Sequence, residues 1–190
     1  ICMMPASAFA EDSNPTTTDT YNLANATISL SQNQYTYDGT AKVPTVTVTD
    51  SSGKTVGTDK YTVSYVNNTD ASSNAQVTVN GKTSSVEGNQ PTDYYGVKTA
   101  NFTINQLDIN KDVNVSVASD ILDTDFDNSS NLTDNGKNKV NIKVGNVDVK
   151  SILSVTYTLA KNNSKQDVLR VDVKPGSNQN VISTTGISPD

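Results

Sequence analysis

Four aspartates in the stretch DTDFDNSSNLTD, residues 123–134, match a metal-ligand pattern. Asp123, Asp125, Asp127 and Asp134 fall at positions 1, 3, 5 and 12 of a calcium loop, with the Ser129 carbonyl available at position 7. Hard carboxylate oxygens at alternating positions suit a hard divalent cation. Asn128 stands where such loops carry glycine, although asparagine tolerates the left-handed conformation. Asp134 is shorter than the usual bidentate glutamate, and no helical pattern flanks the loop. Calcium is therefore the one cofactor the spacing leaves open, against the plainer expectation of an exposed acidic turn.

Tyr94 and Tyr95 form a second candidate, a ligand-binding aromatic pair that ends a long polar loop, residues 82–95. Tyrosine rings can stack on sugars, but neighbours in a strand point to opposite faces, so at most one of the two can be exposed there. Tryptophan, the usual sugar stacker, is absent. An internal Lys–Asn amide crosslink would need a buried lysine. Lys143 and Lys150 lie on strand-like runs but alternate with Ile142, Val144 and Val149, which points them outward. Paired acids such as Asp123 and Asp125 suggest a glycosidase only if a deep cleft joins them, which a small domain without Trp or His is poorly built to supply. No residue is a catalytic candidate. With no histidine, and with Cys2 as the only cysteine, histidine acid–base chemistry, His-dependent triads and His/Cys zinc sites are excluded.

The elements that would hold these residues are strands. Apolar residues make up only 34% of the chain and charged ones 18%, with Asn, Thr, Ser and Asp filling the difference. Disordered chains are also polar but lack recurrent β-branched and aromatic residues, whereas here they recur with period two. Ile28 and Leu30, Val46 and Val48, Tyr61, Val63 and Tyr65, Val77 and Val79, and Ala100, Phe102 and Ile104 each mark one face of a strand. A second set follows: Val113, Val115 and Val117; Val140, Ile142 and Val144; Leu153, Val155, Tyr157 and Leu159; Leu169, Val171 and Val173. Gly145-Asn146 reads as a tight hairpin loop, and no segment has sustained helical periodicity. Strand runs broken by Gly, Asn and Asp indicate an all-β sandwich or barrel.

The stretches YTYDGTAKVPTVTV, KYTVSYVNNTDA, AQVTVNG and YGVKTANFTI, within residues 28–104, resemble an immunoglobulin-like repeat of large surface proteins in gut Firmicutes. The matching positions include Tyr35, Tyr37, Gly39, Lys42, Pro44, Asp59, Tyr61, Tyr65, Asn67, Asn68, Gly81, Gly96, Lys98 and Phe102. Lys60 is inserted before Tyr61, and the family's short connection becomes the loop from Lys82 to Gly96. The resemblance implies an immunoglobulin-like β-sandwich in the first half of the chain, and extracellular spacing or adhesion rather than catalysis. The expected fold is two tandem immunoglobulin-like β-sandwiches, the second resting on periodicity alone. The expected domains are residues 26–106 and 107–184, a flexible leader over 11–25 and a tail over 185–190.

Residues 1–10 end in Ala-Phe-Ala followed by Glu11, the pattern of a signal-peptide remnant, which implies a secreted or cell-wall-associated product. A net charge of −6 with one arginine, Arg170, excludes nucleic acid as an expected partner and disfavours anionic lipid. No apolar run reaches the ~18–20 residues of a membrane span. The expected function is a non-catalytic structural or adhesive module, monomeric within a longer chain, facing an unidentified host or cell-wall protein or glycan. The alternative is a carbohydrate- or protein-binding accessory module of an exported enzyme or adhesin, acting through loop 82–95.

Overall fold

The computed structural model describes residues 19–83, 93–177 and 182–183. The expected signal-peptide remnant 1–10, leader residues 11–18, the middle of loop 82–95 and the tail 185–190 lie outside the described residues.

The chain is all-β. Its strands are β1 (Thr27–Leu30), β2 (Gln34–Thr36), β3 (Val46–Thr49), β4 (Tyr61–Val66), β5 (Ser72–Gly81), β6 (Val97–Asn105), β7 (Leu107–Asp108), β8 (Asn114–Val117), β9 (Val140–Val144), β10 (Val147–Asp148), β11 (Leu153–Lys161), β12 (Asp167–Pro175) and β13 (Ile182–Ser183). Among the described residues α-helix is limited to two short pieces, α1 (Ile109–Asp112) and α2 (Asp134–Asn138). A four-stranded sheet runs β2-β6-β5-β4 and a three-stranded one β10-β9-β8, while β1-β3, β11-β12 and β13-β7 form pairs. β2 joins β6 in parallel and β13 joins β7 in parallel.

By compactness the described residues form two units. One gathers those of Ile1–Ser29, Thr47–Thr62 and Val79–Lys98, with Leu23, Val48, Val56, Tyr61, Val79 and Tyr94 inside. The other gathers those of Leu30–Val46, Val63–Thr78 and Thr99–Asp190, around Val77, Phe102, Ile104, Leu107, Val140 and Ile142.

Most alternations hold. Ala75, Val77 and Val79 are fully buried along β5, and Phe102 and Ile104 are buried on β6. Gly145 adopts a positive φ of 55° between β9 and β10, with Val144 facing Val147 across the turn, as a tight hairpin requires. Gly39 turns at φ 81°, where side-chain-bearing residues are strained.

Two expectations fail. The leader does not reach residue 25: Leu23 is wholly buried, and the Asn22 side chain caps a short 3₁₀ turn by accepting from Ala24 N–H at 3.0 Å. One leucine in a polar stretch gives no period, so the sequence hid it. The valines of β8 are not core residues either. Val115 and Val117 share a face with the buried Ile142 and Val140 opposite them, but they are exposed because nothing described covers that face over β8.

Candidate functional site

The described stem of loop 82–95 is locked by hydrogen bonds. Thr83 N–H donates to the Tyr94 carbonyl at 3.1 Å, Gly81 N–H to Gly96 at 2.9 Å, and Lys82 N–H to Lys60 at 3.1 Å. Lys60 Nζ meets the Asp93 carboxylate at 2.9 Å and Lys82 Nζ reaches the Asp59 carbonyl at 2.9 Å. The inserted Lys60 thereby ties one side of the stem to the other.

Tyr94 is no exposed platform: of the expected pair, in which at most one ring could be exposed, this one is buried. Its hydroxyl donates to Asp50 Oδ2 at 2.6 Å. Asp50, also buried, accepts from Ser52 N–H at 3.0 Å, Ser52 Oγ at 2.6 Å and Lys54 N–H at 3.0 Å. Burial alone raises the pKa of this carboxyl, but the Ser52 and Tyr94 hydroxyls and the two backbone donors outweigh it and bring it down to about 2. The same burial, followed by the bond to Asp50, pushes Tyr94 up to about 12. Tyr95 is half-buried, its hydroxyl donating to Asp19, and that bond holds its pKa up. Leu23 N–H donates to the Tyr95 carbonyl at 2.8 Å, so Tyr95 fastens the stem to the chain before β1, while Tyr94 fastens it to the turn after β3.

Gly81 permits this closure. A Cβ there would stand 2.5 Å from Tyr95 Cα and 2.6 Å from the Tyr94 carbonyl oxygen, both backbone atoms. Gly81→Ala is expected to lower stability by about 1–3 kcal/mol. The check is a lower urea midpoint at unchanged m-value, and an unmoved midpoint would mean the stem is looser than this.

The four aspartates of 123–134 do not converge, and among the described residues no group of three or more potential ligands could hold a metal ion. Asp125, Asp127 and Asp134 spend their oxygens on nearby backbone or on a nearby lysine. Asp125 is buried, accepting from Leu122 N–H at 2.7 Å and pairing with Lys139 Nζ at 2.7 Å. Those two contacts, the backbone one foremost, lower its pKa. Asp127 closes a turn by accepting from Asn131 N–H and Ser129 N–H, each at 2.9 Å, which lowers its pKa too. Asp134 sits in the first turn of α2 beside Lys137 at 3.1 Å, and Asp123 is exposed in a 3₁₀ turn. Thr133 caps α2 by accepting from Gly136 N–H at 3.3 Å. The Thr-Asp start of that helix is a cap signal that the calcium spacing overshadowed.

Lys143 and Lys150 are half-buried, and Lys150 pairs with Asp148 at 3.6 Å. The buried lysine is Lys42, whose Nζ lies 2.5 Å from Asp38, both side chains about nine-tenths covered. Burial raises the Asp38 pKa, but the hydrogen bonds from Lys42 and Thr40 bring it below its usual value. Asn68 Nδ2 donates to the Lys42 carbonyl at 2.9 Å and Lys42 N–H to the Asn68 carbonyl at 2.7 Å. The pair anchors the 38–42 turn. Nothing in the sequence apart from the family pattern singles out this lysine.

Comparison with protein-family models, curated proteins and solved structures returns no match for this chain.

Proposed function

We propose that this chain is a non-catalytic extracellular module of a bacterial cell-surface protein, a structural or adhesive piece built as tandem immunoglobulin-like sandwiches over residues 26–106 and 107–184. The observation that carries the proposal is how the polar side chains are used. Asp38, Asp50, Asp125 and Asp127 each close a local turn, cap or ion pair, so none of these four carboxylates is held ready for a reaction. Catalytic acids and bases instead keep free, convergent geometry around a substrate. Further support comes from the spacing of Tyr35, Tyr37, Gly39, Lys42, Pro44, Tyr61 and Tyr65, which follows the surface-protein repeat.

A second reading, binding through loop 82–95, is favoured by the rigid stem, since binding loops work best on fixed supports. With Tyr94 buried, contacts would come from the loop itself.

The test is localisation followed by binding. Antibody raised to the purified chain should label intact, unpermeabilised cells of the organism that encodes it. Labelling only after permeabilisation would overturn the extracellular assignment. On a glycan and matrix-protein array a purely structural module should be silent and an adhesive one should give a signal that survives changes in loop 82–95, and in either case the melting temperature should be unmoved by millimolar Ca²⁺. A signal lost on replacing residues 84–92 with Gly-Ser would select the second reading.

A further inference from the structure

The outer edge of β8 meets no described strand. Among the described residues β8 pairs only with β9, and every residue from Asn114 to Asp120 is exposed. Val115 and Val117 are 44% and 54% exposed although their cross-strand partners, Ile142 and Val140, are fully buried. An apolar row thus continues from the core onto a strand that nothing described covers. Ala118 N–H donates to the Lys139 carbonyl at 2.7 Å in register with this ladder. Antiparallel pairs alternate, so Asn114 and Ser116 turn their backbone groups toward β9, while Val115 and Val117 turn N–H and C=O to the open edge. From Asn114 to Asp120 there is no lysine, arginine or proline, the residues by which natural edges are blunted.

The inner edge shows what chemistry this strand accepts. β9 supplies Val140 and Ile142 opposite the two valines, with Lys143 at one end and Lys139 just before the other. Lys139 Nζ reaches the Asp120 carbonyl at 3.1 Å. Asp112, which accepts from Asp108 N–H at 3.0 Å and has Lys111 beside it, and Asp120 stand on either side of β8, and residues 108–127 carry six aspartates against one lysine, so its surroundings favour a basic strand. A second copy of β8 fits less well. The antiparallel register that sets Val115 against Val117 of the other copy also brings Asp112 toward Asp120 at both ends, and like charges placed opposite one another destabilise a pair.

We propose that the outer edge of β8 binds an extended peptide strand, antiparallel, with aliphatic residues at alternate positions and lysine or arginine toward its ends. This is strand addition to an open sheet edge, in which main-chain hydrogen bonds give affinity and alternate side chains give specificity. It stands independently of the cell-surface assignment.

The test uses the full chain, ¹⁵N-labelled, titrated with acetyl-Lys-Val-Asn-Ile-Lys-Val-amide, a copy of residues 139–144. Saturable amide shifts should be largest at Val113, Val115, Val117 and Ser119, whose N–H groups face outward, and smaller at Asn114, Ser116 and Ala118. Val115→Pro deletes one outward donor without touching the β9 ladder and should weaken binding about tenfold, the worth of one strong hydrogen bond. Val117→Lys, which keeps every backbone group, should weaken it as well by repelling the basic peptide. Absence of shifts at about 5 mM peptide, a concentration that detects even millimolar dissociation constants, would overturn the proposal. Equal shifts with glutamate replacing both lysines would overturn the charge preference. Self-association in sedimentation equilibrium that Val115→Pro abolishes would assign the edge to a second copy instead.

Discussion

Asp50→Ala is expected to lower stability by about 2–4 kcal/mol at neutral pH. The carboxylate accepts from four donors: Ser52 N–H, Ser52 Oγ, Lys54 N–H and Tyr94 Oη. Ser52 and Lys54 are exposed and water can replace their lost partner, whereas the Tyr94 hydroxyl is buried and cannot easily be rehydrated. A buried donor left unpaired costs about 1–3 kcal/mol, and that dominates the loss. Tyr94→Phe removes the same bond from the other side and should cost less, because Asp50 keeps its other partners. The measurement is urea unfolding followed by tyrosine emission, since the chain has tyrosines and no tryptophan. A double-mutant cycle should give coupling of about 1–2 kcal/mol, and coupling near zero would mean that the 2.6 Å bond is not formed in solution.

The same site sets an acid limit. The Asp50 pKa is lowered in the folded state, to about 2, from the ordinary value near 3.9. Its contribution is therefore fully present above the unfolded pKa and disappears as pH falls through roughly 4 toward 2. Tyr94 acts with the opposite sign. Raised to about 12, it contributes fully below pH ~10 and loses that contribution as pH rises through its folded value. The wild-type midpoint should fall between pH 5 and 2 more steeply than that of Asp50→Asn, which has no charge to lose at this position.

The strand faces were legible because local alternation decides them. Val77 and Val79, Phe102 and Ile104, and Val140 and Ile142 all bury the face that their period assigns. Period two fixes which residues share a face but not whether anything covers that face, and for this reason β8 deceived: Val115 and Val117 alternate as regularly as the buried pairs opposite them. The acidic loop misled in a related way. Calcium spacing and turn-capping spacing draw on the same residues, since an aspartate that accepts from N–H groups two and four positions on, as Asp127 does, also falls at alternating positions. The Asp50–Tyr94 bond was out of reach because 44 residues separate its partners. Asp50-Ser51-Ser52-Gly53 announced a turn, and only the tertiary fold shows what the turn holds.

Leu23→Ala should cost about 2–4 kcal/mol, as large-to-small changes at fully buried leucines do. The position is informative because the surrounding sequence is polar and nothing in its period announces a core residue. Leu23 is completely covered, its N–H donates to the Tyr95 carbonyl at 2.8 Å, and Lys98 Nζ donates to the neighbouring Ala24 carbonyl at 2.8 Å. If the fold already includes this segment, removing the isobutyl group leaves a cavity whose walls relax only in part. The comparison is Leu122→Ala: Leu122 is 55% exposed, so that change should stay within about 0.5 kcal/mol. Hydrogen exchange gives a second readout that needs no substitution. The Leu23 amide should exchange on the slow scale of the β5 amides, because its release requires breaking the contact with Tyr95. Fast exchange at Leu23, together with a Leu23→Ala midpoint equal to wild type, would return residues 19–25 to a flexible leader and detach the loop stem from its support.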